Sequence, residues 1–248
     1  MFSELYVSGL KINTHLGFSD RYVTELPCLK NVSEIAFNKK VTFFIGENGS
    51  GKSTLLEAIA VNMGFNPEGG TMNFNFSSMD THSDLYKNMK LIKGVKRHKD
   101  GFFLRAESFY NVATEIERLD AEPAFGPPIK ASYGGKSLHE QSHGESFMSL
   151  VLNRFSGNGL YILDEPEAAL SPARQLSLLV KINDLVKSNS QLIIATHSPI
   201  LMAYPDAEIF FLDDKGIKNI DYKETEHYLI TKEFLNNPEK MLKYLLQE

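Results

Sequence analysis

The sequence predicts an α/β fold built on a mainly parallel central sheet. Three observations lead there. Short apolar runs recur at 41–45, 159–163, 191–195 and 207–212, each with the length and unbroken hydrophobicity of a strand buried on both faces. Helical patterns stand between several of them, notably after residue 52 and at 172–187, and a parallel pair needs such a crossover. Gly46-Glu47-Asn48-Gly49-Ser50-Gly51-Lys52-Ser53-Thr54 joins the run Val41-Thr42-Phe43-Phe44-Ile45 to the helical pattern Leu55-Leu56-Glu57-Ala58-Ile59-Ala60, the strand–glycine loop–helix order of a phosphate-binding unit.

The chain has 248 residues, enough for one large α/β domain or a domain with a small subdomain. Hydrophobic residues make up 42%, ample for a core. A net charge of −5 gives no overall attraction to nucleic acid. The single cysteine, Cys28, excludes an intrachain disulfide and a cysteine zinc cluster, in keeping with a reducing cytoplasm. No apolar stretch approaches the roughly 18–20 residues a membrane helix needs. Met1-Phe2-Ser3-Glu4 lacks the basic-then-apolar order of a signal peptide. The expected location is therefore cytoplasmic.

In chain order, Leu5 to Ile12 alternates partly and is rich in strand formers, so one or two strands are expected within 4–16. Residues 33–45 hold a strand or a pair ending at the glycine loop. The helix after Lys52 should stop near Gly64, a residue suited to a C-terminal cap. Residues 64–83 read as loop with short strands. Two strands, 88–95 and 101–106, flank the turn Arg97-His98-Lys99-Asp100-Gly101, and 108–119 reads as a helix. Residues 121–137, with three prolines and three glycines, break the pattern most strongly. Beyond them a helix carries Phe147, Leu150, Val151 and Phe155 on one face. A helical subdomain is placed at about 107–155, within a main lobe of about 1–106 and 156–248. Strands at 159–163, 191–195 and 207–212, a helix at 172–187, and helices near 224–236 and 238–247 complete the chain.

Four motifs carry chemistry. In the loop 46–54, glycines at 46, 49 and 51 let the backbone bend with its N–H groups turned inward, where side chains would block phosphates. The helix N-terminus adds partial positive charge. Lys52 would neutralise the β- and γ-phosphates of a nucleoside triphosphate, Ser53 would offer its hydroxyl to Mg²⁺, and Asn48, Gly49, Ser50, Gly51 and Thr54 complete the nucleotide-binding set. The strand Leu160-Tyr161-Ile162-Leu163 runs into Asp164-Glu165-Pro166. Asp164 would hold Mg²⁺ through water, and Glu165, pointing elsewhere, would polarise the attacking water. Ser142-His143-Gly144-Glu145 opens a helix as a capping box that also presents an anion site. His197, at the tip of the strand Leu192-Ile193-Ile194-Ala195, stands where ligands bind at a sheet edge and would reach a γ-phosphate.

This order of motifs resembles the ATP-binding cassette (ABC) ATPase superfamily: phosphate loop at 46–54, signature Gln141-Ser142-His143-Gly144-Glu145, acidic pair 164–165 and switch histidine 197. His143 stands where the family usually has glycine. Ala169-Leu170-Ser171 matches the D-loop loosely, and Ser171 also reads as an N-cap before Pro172. Glu107 sits about where the Q-loop glutamine is expected, which makes it a further metal candidate. Asp164-Glu165-Pro166-Glu167 resembles the RecF and SMC branches, transporter subunits usually carrying Asp-Glu-Pro-Thr. Stretches 65–70, 102–112 and 137–146 are similar to small stand-alone bacterial proteins called predicted AAA-family ATPases.

The resemblance implies a P-loop NTPase of ABC type, with an antiparallel β portion and a small helical signature subdomain. It implies ATP and Mg²⁺ as ligands. It further implies a homodimer on ATP binding, in which Ser142, Gly144 and Glu145 of one copy complete the nucleotide site of the other. An unknown protein partner is expected, and no membrane segment. Three alternatives stand beside this reading: the nucleotide-binding subunit of a transporter, a nucleic-acid-associated ATPase in repair or phage defence, and a module that binds ATP without hydrolysing it. The second draws on the basic run Lys87, Lys90, Lys93, Lys96, Arg97 and Lys99, which reads more simply as a solvated strand–turn–strand. His139 and His143 are four apart but fall where a helix only begins. Phenylalanines 74, 76, 102, 103 and 109 read as core, and Phe18 or Tyr22 as the adenine partner.

Overall fold

The computed structural model describes residues 4–13, 20–29, 32–72, 83–105, 109–121, Gly135 and 142–246. Nine strands follow in order among them: β1 (Val7–Ile12), β2 (Glu34–Ala36), β3 (Val41–Gly46), β4 (Met89–Lys93), β5 (Asp100–Arg105), β6 (Gly159–Asp164), β7 (Gln191–Ala195), β8 (Glu208–Asp213) and β9 (Gly216–Asn219). The helices are α1 (Arg21–Glu25), α2 (Lys52–Met63), α3 (Leu85–Asn88), α4 (Phe109–Ala121), α5 (His143–Arg154), α6 (Pro172–Lys187), α7 (Pro199–Met202), α8 (Glu226–Asn236) and α9 (Pro238–Leu246). The central sheet has the order β5-β6-β7-β3-β8-β9. Its first five strands run parallel, and β9 closes the edge antiparallel to β8. A second, antiparallel sheet has the order β2-β1-β4.

Side-chain alternation along the buried strands divides the core in two. Phe44, Phe103, Ile162 and Ile193 face α2 and the antiparallel sheet, joining Leu55, Leu56, Ile59, Val7 and Leu10. Phe43, Phe102, Tyr161 and Leu192 face the other way, onto Ile116, Phe147, Leu150, Val151, Leu178 and Ile182 of α4, α5 and α6. The parallel sheet is thus covered on both faces, which is why its strands lack polar alternation. Helix α2 ends as expected, at Gly64 with φ of 91°. Gln191 ties the two sheets together: its Oε1 accepts from the Tyr6 and Val7 N–H groups, and its Nε2 donates to the Val7 carbonyl.

The two strands flanking the Arg97–Gly101 turn are present but belong to different sheets. β4 pairs with β1, and β5 with β6. Burial explains the separation. β4 hides alternate residues and suits a sheet with one wet face, whereas Gly101 to Leu104 of β5 are all buried. A single strand occupies the described part of 4–16, and residues 33–45 form two. The β8–β9 hairpin was not expected, because β9 is only four residues long and mostly exposed. Phe102, Phe103 and Phe109 are core residues, as their spacing suggested. Phe18, Phe74, Phe76, Glu107, His139 and Gln141 lie outside the described residues. Helices α8 and α9 have no buried residue, and Leu229, Ile230, Leu235, Leu245 and Leu246 are exposed. Among the described residues no helix is long and apolar enough to cross a membrane.

At the amino end of β5, the Asp100 carboxylate accepts from the Tyr161 hydroxyl at 2.7 Å, Arg154 Nη1 at 2.7 Å and Ser156 Oγ at 3.0 Å. Burial opposes its ionisation, but the Tyr161 and Arg154 hydrogen bonds outweigh it and hold the carboxyl below the usual range. A carboxyl depressed in the folded state contributes stability above its unfolded pKa, and loses it as pH falls through the folded value. Asp100→Asn should therefore cost about 1–3 kcal/mol in urea unfolding at pH 7. That difference should close as the pH falls below about 4.

Candidate nucleotide-binding and catalytic site

The carboxyl ends of β6, β7 and β3 lie side by side in the central sheet. Each delivers a predicted motif to the same edge. The loop after β3 turns through Gly46, Gly49 and Gly51 with φ of 152°, 79° and 99°. A Cβ on Gly46 would stand 2.5 Å from the Leu212 carbonyl, so both the turn and the close approach demand glycine there. Gly51 caps α2 without any side-chain hydrogen bond, which leaves the first N–H groups of the helix to an anion. Asn48 and Gly49 are exposed at the crest, and Thr54 follows in the first turn. Beside the loop lies a cleft of about 480 Å³ lined by Pro27, Glu47, Asn48, Gly49, Ser50 and Phe211, among others.

Lys52 is buried, with Nζ donating to the Gly46 and Glu47 carbonyls at 2.9 Å each. Burial lowers its pKa, while Glu165, Asp164 and Glu167 pull it upward. Ser53 Oγ donates to Asp164 Oδ1 at 3.0 Å. The end of β6 therefore meets the start of α2 through one hydroxyl and one carboxylate. Both are hard oxygen donors of the kind Mg²⁺ takes, and their adjacency fits that ion. Arg105, at the end of β5, braces this corner: Nη1 donates to Glu57 Oε2 at 2.8 Å, and Nε is 3.8 Å from Asp164 Oδ2.

Glu165 adopts φ of 50°, a left-handed conformation that costs a non-glycine residue about 1–3 kcal/mol. It turns the chain sharply, so Asp164 and Glu165 face different groups. Asp164 meets Ser53, and Glu165 Oε1 lies 3.6 Å from His197 Nε2. His197 Nδ1 is 3.2 Å from His227 Nε2. Burial and nearby Lys52 lower the His197 pKa, outweighing Glu165, so the ring is neutral at pH 7. Glu167 Oε1 accepts from the His197 N–H and fastens the loop after β6 to the loop after β7. Burial raises the Glu167 pKa.

Lys52, Ser53, Asp164, Glu165 and His197 thus converge. The signature residues stand on the α5–α6 side. Glu145 accepts from the Ser142 N–H at 3.1 Å and its Oγ at 2.7 Å, the capping box read from sequence, and pairs with Arg174 at 3.4 Å. Ser142 and His143 are exposed. Gly144 is buried, and a Cβ there would stand 2.5 Å from the Ala169 carbonyl, so close helix packing already accounts for this glycine. Ser171 caps α6 by accepting from the Arg174 N–H. Tyr22 is 52% exposed. The basic residues of 87–99 are all exposed, and Lys96, Arg97 and Lys99 line a separate cleft with Lys40, Asn158 and Asn189 near the amino ends of the central strands.

Four participants had no role in the sequence reading: Glu57, Arg105, His227 and Glu167, the last of which stands in the motif 164–167. Glu57 carried a signal, as a carboxylate within the apolar run Leu55 to Ala60. Arg105 and His227 had none, since each reaches the site only through the sheet order and the return of α8.

Comparison with known proteins gives family, sequence and structural likenesses. A family model described as "AAA domain" matches residues 26–124. A second, described as "AAA domain, putative AbiEii toxin, Type IV TA system", matches 137–203. An ABC transporter ATP-binding protein of Haemophilus influenzae is 26% identical over 198 residues, covering 74% of each chain. Another, from Caldanaerobacter subterraneus, is 27% identical over 240 residues, covering 90% of this chain and 93% of the relative. Among solved structures, a dimeric bacterial ABC transporter cassette aligns with a TM-score of 0.47 at 16% identity, covering 78% of this chain and 90% of the other. The SMC head domain from Thermotoga maritima aligns with a TM-score of 0.46 at 16% identity, covering 88% and 100%. The chain is thus similar to AAA-domain proteins over 26–124 and 137–203, and to ABC-type ATP-binding proteins over most of its length.

Proposed function

We propose that this protein binds ATP with Mg²⁺ on the loop 46–54, hydrolyses it, and closes into a homodimer while the triphosphate is intact. The observation carrying this reading is the convergence of Lys52, Ser53, Asp164, Glu165 and His197 at one sheet edge. Loop N–H groups and Lys52 hold the phosphates. Ser53 and Asp164 would hold Mg²⁺, which would supply positive charge beside the phosphates. Glu165 takes a proton from the attacking water as its oxygen bonds to the terminal phosphorus and the bond to the bridging oxygen breaks, releasing ADP and phosphate. His197 donates from Nε2 to the terminal phosphate. Pairing then depends on that phosphate, and its loss removes the contacts that favour the closed dimer.

In this reading the exposed Ser142 and the first turn of α5 meet the partner's nucleotide. Ser142→Arg tests it directly. ATP binding by the monomer should stay within about threefold, because in this reading Ser142 serves the partner's nucleotide and not the protomer's own. Dimerisation, read by light scattering with ATP, should disappear, and phosphate release should fall at least tenfold. Unchanged phosphate release would mean that each protomer is self-sufficient. A transporter subunit is the second reading, favoured by the names of the curated relatives. Glu167, where transporter subunits usually carry threonine, supports the first.

A further inference from the structure

The histidine pair beside Glu165 sets a constraint that the single switch histidine does not. His227 lies in the first turn of α8, its ring half-buried and 5.4 Å from the ring of His197. Nδ1 of His197 faces Nε2 of His227 at 3.2 Å, so one nitrogen must carry the hydrogen and the other the lone pair. Two neutral arrangements exist. If His197 donates, its Nε2 becomes a lone pair aimed at Glu165 Oε1, 3.6 Å away, so two acceptors are opposed. His227 must then carry its hydrogen on Nδ1, which is buried without a hydrogen-bond acceptor. An N–H left unpaired in the interior is costly. If His227 donates instead, His197 carries its hydrogen on Nε2, which is also buried without a hydrogen-bond partner but stands 3.6 Å from a carboxylate oxygen that attracts it, and the buried Nδ1 of His227 is only an unused lone pair, so this is the less costly arrangement.

We propose that His227 is a positioning residue that locks His197 in the Nε2–H tautomer, the form able to donate to Glu165 and to the terminal phosphate of a bound nucleotide. This rests on the reading of His197 given above, but the tautomer itself does not depend on nucleotide. A ring nitrogen's role is commonly set by the hydrogen bond its other nitrogen makes. Here that bond comes from a helix that follows the last strand of the sheet, so docking of α8 is coupled to the readiness of the site.

The test uses the full chain with ¹⁵N-labelled histidine. Long-range ¹H–¹⁵N spectra without nucleotide distinguish the two neutral forms, and the His197 signals are identified by their loss in His197→Gln. The wild type should show His197 protonated on Nε2. His227→Leu should give a mixture or the opposite form, and should lower kcat for phosphate release about ten- to a hundredfold with KM for ATP within about threefold. His227→Gln retains an N–H donor, so it should restore the tautomer and bring kcat to within about fivefold of wild type. An Nδ1–H form of His197 in the wild type overturns the proposal, as does an unchanged tautomer in His227→Leu. Should the leucine variant not fold, the wild-type and glutamine spectra still decide. Absence of ATP hydrolysis in the wild type would remove the proposed function and leave the tautomer assignment standing.

Discussion

Glu165→Gln should bind ATP-Mg²⁺ as tightly as the wild type and hydrolyse it about 10²–10⁴-fold more slowly, the usual contribution of a positioned base. The expectation follows from geometry as much as from chemistry. The left-handed backbone at Glu165 separates its carboxylate from that of Asp164, leaving it 40% exposed and facing His197 rather than Ser53. Glutamine keeps the size and the hydrogen-bonding reach but cannot accept a proton. The variant should also accumulate as an ATP-bound dimer, since the step that removes the terminal phosphate is the one suppressed. Stopped-flow nucleotide binding, single-turnover phosphate release and light scattering would report the three properties separately. Hydrolysis at the wild-type rate would remove Glu165 from the mechanism. Hydrolysis lost together with binding would assign it to the metal site instead.

Lys52→Ala should weaken ATP binding at least a hundredfold, with no measurable turnover. Lys52 is the cation of the phosphate loop, is only 4% exposed, and stands among Asp164, Glu165 and Glu167. Without it, the triphosphate would meet three carboxylates with the cation that stands among them removed, in surroundings where screening by water is weak. The fold should survive, because the lysine's hydrogen bonds run only to the Gly46 and Glu47 carbonyls, and losing a desolvated charge offsets losing them. Calorimetric titration with ATP-Mg²⁺ beside a thermal melt without nucleotide separates the two effects. A normal melt with normal binding would show that the loop amides suffice.

Much of this architecture is legible in the sequence. Strands β3, β6, β7 and β8 were read within about two residues of their ends, because a strand buried on both faces writes itself as a continuous apolar run. Gly64, Ser171 and the Ser142–Glu145 box were read as caps, and each caps its helix. These are local signals, decided within a turn of helix. Pairing was not local. β4 and β5 adjoin one turn, yet the hydrophobic surface on both faces of β5 draws it into the central sheet, while half-wet β4 joins β1.

The site divides along the same line. Residues whose chemistry depends on their neighbours in the chain, such as the loop around Lys52 and the acids following β6, announced themselves. Glu57, Arg105 and His227 did not, because each acts across a gap closed only by tertiary packing.

The sequence by itself determined which central strands would be buried and where α2, α5 and α6 would be capped, since hydrophobic period and caps are properties of short segments. Only the tertiary structure decided that Ser53 would meet Asp164, that Glu165 would face a histidine, and that a second histidine would stand behind it. Those contacts depend on strand order and on how α8 returns to the sheet edge, which the whole core sets by burying its apolar faces together.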